Sequence, residues 1–96
     1  MKNFKKRIAS LVMATSVIIP SVSAFAAVVT TPSGGNWDYG ENSTIVWSNY
    51  QQYDLTHKSS VDGATFYSSV WKSPGTKAYA SAASTIWADQ AFYDEY

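Results

Sequence analysis

Ninety-six residues with no cysteine and a formal charge of zero describe one small domain that no disulfide holds together. The charge is unevenly placed: Lys2, Lys5, Lys6 and Arg7 are four of the seven cations, and beyond residue 26 three lysines face seven carboxylates, a net charge of −4. Such a field does not draw the domain to nucleic acid or to anionic lipid, which excludes nucleic-acid binders and cationic membrane-lytic peptides as comparisons.

The chain opens as a leader. "MKNFKKR" precedes an apolar run from Ile8 to Ile19, then Pro20, then "SVSAFA", whose small-x-small spacing suits signal peptidase. A secretory signal peptide is expected over residues 1–26, cut between Ala26 and Ala27, with a cut after Ala24 permitted by the same spacing. The competing reading, a membrane anchor, needs about 20 apolar residues where this run has about 12. No cysteine stands at the cleavage point to carry a lipid. Residues 27–96 are then an exported domain. Below about 70–80 residues a core alone seldom supplies more than about 3–5 kcal/mol, and exported domains of this size usually add disulfides. All but two of the aromatic residues lie beyond residue 26, and most of their rings are expected in the core.

Strands dominate the middle of the chain. "STIVWSNY" (43–50) and "ATFYSSVWK" (64–72) are dense in β-branched and aromatic residues and free of glycine and proline. In the second run Phe66, Ser68 and Val70 share one face, and Tyr67, Ser69 and Trp71 the other. Between the strands, "TPSGG" (31–35), "DYGEN" (38–42), "VDGA" (61–64) and "KSPGT" (72–76) read as turns at hairpin intervals. Asp62-Gly63 suits a two-residue type I′ turn. The alanine-rich stretch that follows is ambiguous. On propensity a helix over about 77–88 is expected, while a strand with Ala78, Ala80 and Ala82 on one closely packed face is the alternative.

Reactive constellations are thin. His57, the single histidine, stands near Asp54, Ser59 and Ser60, which are the letters of a triad, but adjacency in sequence is not the geometry. One histidine without cysteine does not make a structural zinc site, and the carboxylates lack calcium-loop spacing. Asp38 with Glu41, or Asp89 with Asp94, would have to converge to act as a glycosidase pair, and charges near turns are usually solvated. Gly34-Gly35 precedes a tryptophan rather than opening a phosphate-binding helix. No catalytic residue, metal or cofactor is expected.

In their order, "GGNWDYG" (34–40), "WSNYQQYDLTHKSSV" (47–61), "AYASAAS" (78–84) and the terminal "QAFYDEY" resemble the lactococcin 972 family of bacteriocins. The resemblance implies an all-β fold, a small antiparallel β-sandwich of two short sheets, and it tips the alanine-rich segment toward strand. It implies a secreted, unmodified antibacterial protein that acts on related Gram-positive cells by binding the cell-wall precursor lipid II and blocking septum formation. Stable membrane insertion is not expected, and immunity or export proteins are possible partners. Three lysines offer little to the pyrophosphate of lipid II, so the target carries over less firmly than the fold. Tyr53 and His57 at the turn, with Trp37 near the start of the exported domain, are the expected contacts for a sugar or muropeptide, because rings bind sugar C–H surfaces and turns carry ligand contacts; for Trp37 the core is the competing and stronger reading, given the apolar area this fold must bury. Alternatives are a secreted carbohydrate-binding or adhesion module and, third, a small secreted enzyme or inhibitor.

Overall fold

A computed structural model describes residues 24–96. Most of the expected leader, residues 1–23, lies outside them, while the expected cleavage bond Ala26–Ala27 falls inside the first strand. Seven strands form: β1 (Phe25–Thr30), β2 (Asn36–Glu41), β3 (Ile45–Gln51), β4 (His57–Asp62), β5 (Phe66–Ser68), β6 (Ala78–Ala83) and β7 (Gln90–Glu95). They pair antiparallel into a four-stranded sheet in the order β1-β2-β3-β6 and a three-stranded sheet in the order β5-β4-β7. The expected two-sheet β-sandwich is the fold.

Alternation along each strand decides what is buried. In the four-stranded sheet Trp37, Val46, Ser48, Tyr50, Ala78 and Ala80 turn inward. Rings from both sheets then meet in a continuous column. Phe25 lies 5.9 Å from Tyr39, Tyr39 stacks on Trp37 at 3.9 Å, and Trp37 meets Tyr93 edge-on at 5.0 Å. Tyr93 continues to Tyr50 at 4.6 Å, and Tyr50 meets the His57 ring at a right angle. Polar groups tie the same column across the sheets. Trp37 Nε1 donates to Ser48 Oγ at 2.9 Å, and Ser48 Oγ donates to the Phe92 carbonyl at 2.8 Å. At one end the buried Glu95 carboxylate accepts from Ser33 Oγ at 2.8 Å, from the Tyr50 hydroxyl, and from Gln52 Nε2 at 3.4 Å. Burial, and then the bond to Glu95, push the Tyr50 phenol up to about 12.

The alanine-rich segment is strand β6, as the family resemblance favoured over the helix of local propensity, and alanine on its inner face is what lets β4 pack close over it. Three local expectations are corrected. The turn read at 38–42 is mostly strand: β2 runs through Gly40, and the reversal comes at 42–44, where the Asn42 side chain accepts from the Thr44 and Ile45 amides. Asp62-Gly63 is not a two-residue turn. Asp62 pairs with Phe66, and Gly63 is required for space, since a Cβ there would fall 2.8 Å from Val46 Cγ1 and against the Ala83 carbonyl. The strand expected over 64–72 shrinks to β5. Val70 takes a left-handed conformation, φ 62°, unusual for a β-branched residue, and pairing resumes only where Lys72 and His57 exchange backbone bonds.

A second buried carboxyl marks the opposite side of the sandwich. Glu41, at the end of β2, hydrogen-bonds to Asp89 in the 84–89 loop, and Asp89 accepts from the Thr85 amide and hydroxyl at 3.0 and 2.7 Å. Burial, followed by the hydrogen bond and charge of Asp89, raises the Glu41 carboxyl from 4.5 to about 7.

Two outcomes follow from these contacts. Folded Glu41 keeps a proton that the unfolded chain releases above pH 4.5, so its contribution is complete below that pH and is lost as pH rises through about 7. Urea unfolding of wild type should lose about 1–2 kcal/mol relative to Glu41→Gln between pH 4 and pH 8, the full linkage value being reduced by solvent screening, whereas parallel pH profiles would contradict the buried acid pair. In the same assay Ala80→Leu should cost about 1–3 kcal/mol by overpacking, and Ser81→Leu on the outer face less than about 0.5 kcal/mol. Equal effects would argue against the register of β6.

Candidate functional site

Two rows of outward-turned residues cross all four strands of the larger sheet. One runs Val28–Asp38–Asn49–Tyr79 and the next Ala26–Gly40–Trp47–Ser81, each set by the pairing of β1, β2, β3 and β6. Trp47 covers Gly40. A Cβ at residue 40 would fall against the Phe25 carbonyl oxygen of β1 and lie 2.7 Å from Trp47 Cζ2, so glycine in mid-strand is what lets both the β1 backbone and the indole come close. The indole is fixed there by Nε1, which donates to Asp38 Oδ1 at 3.1 Å. Tyr79, 61% exposed, stands diagonally across on the edge strand, with the Lys77 ammonium 5.5 Å from its ring.

An open cavity of about 690 Å³ lies along this face, lined by Ile45, Trp47, Asn49, Tyr67, Tyr79 and Ser81. Tyr67 reaches its rim from β5 of the other sheet. The Asn49 amide and the Tyr79 hydroxyl make no side-chain hydrogen bond among the described residues. Aromatic faces beside an uncommitted amide and hydroxyl, with the Asp38 carboxylate that anchors the indole close by, can hold a polar solute without covalent chemistry.

The three-stranded sheet carries a smaller cavity of about 240 Å³, lined by Lys58, Ser60, Phe66, Phe92, Tyr93 and Asp94. Beside it the Lys58 ammonium sits 4.6 Å over the Trp71 ring, and Tyr96 meets that ring edge-on at 4.8 Å.

The residues expected at the site are placed apart from one another. Trp37 is in the core. His57 is wholly buried, with Nδ1 2.8 Å from the Leu55 carbonyl and Nε2 2.7 Å from the Thr76 carbonyl. A neutral imidazole donates one of these bonds and an imidazolium both. Tyr53, on the 52–56 turn, is 65% exposed. His57, Asp54 and Ser59 do not assemble as a triad: both ring nitrogens face carbonyls, Asp54 is exposed, and Ser59 Oγ is buried without a hydrogen-bond partner among the described residues. Neither acid pair converges, since Asp38 and Glu41 turn to opposite faces of β2, and Asp89 meets Glu41 rather than Asp94. Among the described residues no three His, Cys, Asp or Glu side chains gather as a metal site, and no helix is long and apolar enough to cross a membrane.

The sequence pattern that defines the lactococcin 972 bacteriocins matches residues 33–93, from the turn before β2 almost to the end of β7. The chain belongs to that family of bacteriocins. Comparison with curated proteins and with solved structures finds no match. The matched region of this lactococcin 972 family member contains both outward rows of β2, β3 and β6, and it contains Trp37, Tyr53 and His57 as well.

Sequence reasoning missed Trp47, Tyr79 and Asn49, although the signal was present. In "AYASAA" alternation with the alanines inward leaves Tyr79 and Ser81 outward, and in "VWSNY" Trp47 and Asn49 share the parity opposite to Val46, Ser48 and Tyr50.

The placement of His57 and Tyr53 predicts different costs. His57→Ala should lose about 2–4 kcal/mol, because it empties a fully buried ring site and removes the ring's bonds to the Leu55 and Thr76 carbonyls, while Tyr53→Ala should stay within about 0.5 kcal/mol of wild type. Denaturant titration measures both, and a destabilised Tyr53→Ala would show that the 52–56 turn is packed rather than exposed.

Proposed function

We propose that this bacteriocin arrests related Gram-positive bacteria by occupying the cell-wall precursor lipid II and blocking septum formation, with no turnover of its own. The observation that carries the reading is the outward aromatic and amide face within a bacteriocin-family domain, a surface equipped for holding a saccharide-bearing molecule. Net charge supports it: an acidic domain gains nothing from inserting into anionic lipid. Export through a signal peptide over residues 1–26 belongs to the same reading, as do immunity or export partners. Tyr53 remains a proposed ligand contact on its exposed turn. Trp37 and His57 would take part only through the packing that holds that turn and sheet in place.

The same face favours a second reading, a secreted carbohydrate-binding or adhesion module. Treating related Gram-positive cells with the purified protein separates the two. Growth arrest with septation defects, relieved by excess lipid II, is the expected result. Retention on insoluble glycan with no arrest supports the second reading, and arrest that lipid II does not relieve removes lipid II as the target while leaving the antibacterial role.

A further inference from the structure

We infer that the outer face of the four-stranded sheet is a binding shelf for an N-acetylated hexopyranose, with Trp47 and Tyr79 as its platforms and the Asp38–Asn49 pair as its reader of the acetamido group. The inference deepens the wall-targeting reading above and rests on it for its biological setting.

Nothing in the folding of the core requires Tyr79 on this face, since the column that joins the sheets runs through Phe25, Tyr39, Trp37, Tyr93, Tyr50 and His57. Trp47 and Tyr79 are diagonal neighbours on adjacent strands, a spacing of roughly 7–8 Å between such positions. A pyranose chair presents a flat C–H face to one ring while its neighbour or a substituent reaches the second. Trp47 is held in place before any ligand arrives, flat over Gly40 and bonded to Asp38, so little ordering is left for binding.

The polar groups then decide the class of ligand. Asp38 and Asn49 are directly opposite each other in the β2–β3 register. A carboxylate accepts only and has about four lone-pair sites, of which the Trp47 indole uses one; an amide both donates and accepts. An acetamido group carries one N–H donor and one carbonyl acceptor on adjacent atoms. It therefore matches an acceptor beside a donor, with its methyl directed toward apolar surface such as Ile45 or Val28, both exposed on this face. A lipid tail or an apolar helix would cover Asp38 and Asn49 without replacing their water, which is costly. A polyanion would meet Asp38 before it met Lys77, the cation beside Tyr79.

The test uses free saccharide and no cells, so that it stands or falls separately from the mode of killing. Purified protein is titrated with a soluble β-1,4-linked N-acetylglucosamine tetrasaccharide and, in parallel, with the β-1,4-linked glucose tetrasaccharide, following the Trp47 indole N–H by NMR. Saturable movement of that resonance with the acetylated sugar, about tenfold weaker with glucose, is the expected result. Tyr79→Ala and Asn49→Ala, both on exposed or half-exposed positions, should each weaken binding about tenfold with an unchanged thermal transition, and Trp87→Ala in the 84–89 loop should not. No binding of the acetylated sugar, equal binding of the two sugars, or binding indifferent to Tyr79→Ala and Asn49→Ala would each overturn the assignment. If the shelf fails while lipid II still relieves growth arrest, the wall-targeting reading survives without this site. If the shelf binds and its variants kill as well as wild type, the wall-targeting use of the shelf is what falls.

Discussion

The Tyr50 phenol sits where the two sheets, the 31–35 turn and the last strand converge. Its hydroxyl meets Thr31 at 2.8 Å and the Glu95 carboxylate, and its ring lies between Tyr93 and His57. A domain of this size with no cysteine has little else to fasten one sheet to the other, and a small core alone leaves little margin. Aromatic rings solve part of this by burying large areas with few rotatable bonds. Their polar tips solve the rest, provided each is answered: the Trp37 indole by Ser48, Ser48 by the Phe92 carbonyl, Glu95 by three donors. Such a network is stabilising only when complete, which makes these positions intolerant as a group.

That assignment of the inner rings determines what the outer ones are available for. Because strand alternation is strict, each residue that completes the inner column fixes an outward neighbour. Tyr50 and Ser48 inward put Asn49 and Trp47 outward, and Ala78 and Ala80 inward put Tyr79 outward. The outward face of Trp47, Asn49 and Tyr79 is thus set by paired strands rather than by a loop. With a net charge of −4 beyond residue 26 the domain has no electrostatic attraction to anionic surfaces, and what that face offers is ring surface with a few amide, hydroxyl and carboxylate groups.

The sheet class and the family were legible from sequence because both depend on features spread over many residues: the density of β-branched and aromatic side chains, and an ordered set of short motifs. Local reversals were less legible. Gly40 looks like a turn residue, yet it lies in a strand where the Phe25 carbonyl of β1 and the Trp47 ring, seven residues on, occupy the space of its missing side chain. Gly63 likewise answers to Val46 and Ala83 across the sandwich rather than to a type I′ turn. His57 drew attention as the single histidine, but its ring closes the core against two backbone carbonyls that no local pattern announces. In each case a long-range contact decides a residue's role, and single-sequence periodicity carries no information about such contacts.

A double-mutant cycle between Tyr50 and Glu95 tests the account at its centre, using Tyr50→Phe, Glu95→Gln and the double variant in denaturant unfolding. If the buried phenol–carboxylate link helps join the sheets, the two substitutions should couple by about 1–3 kcal/mol. Additivity within about 0.5 kcal/mol would show that the two groups act independently, and the sandwich would then have to be held by ring packing alone.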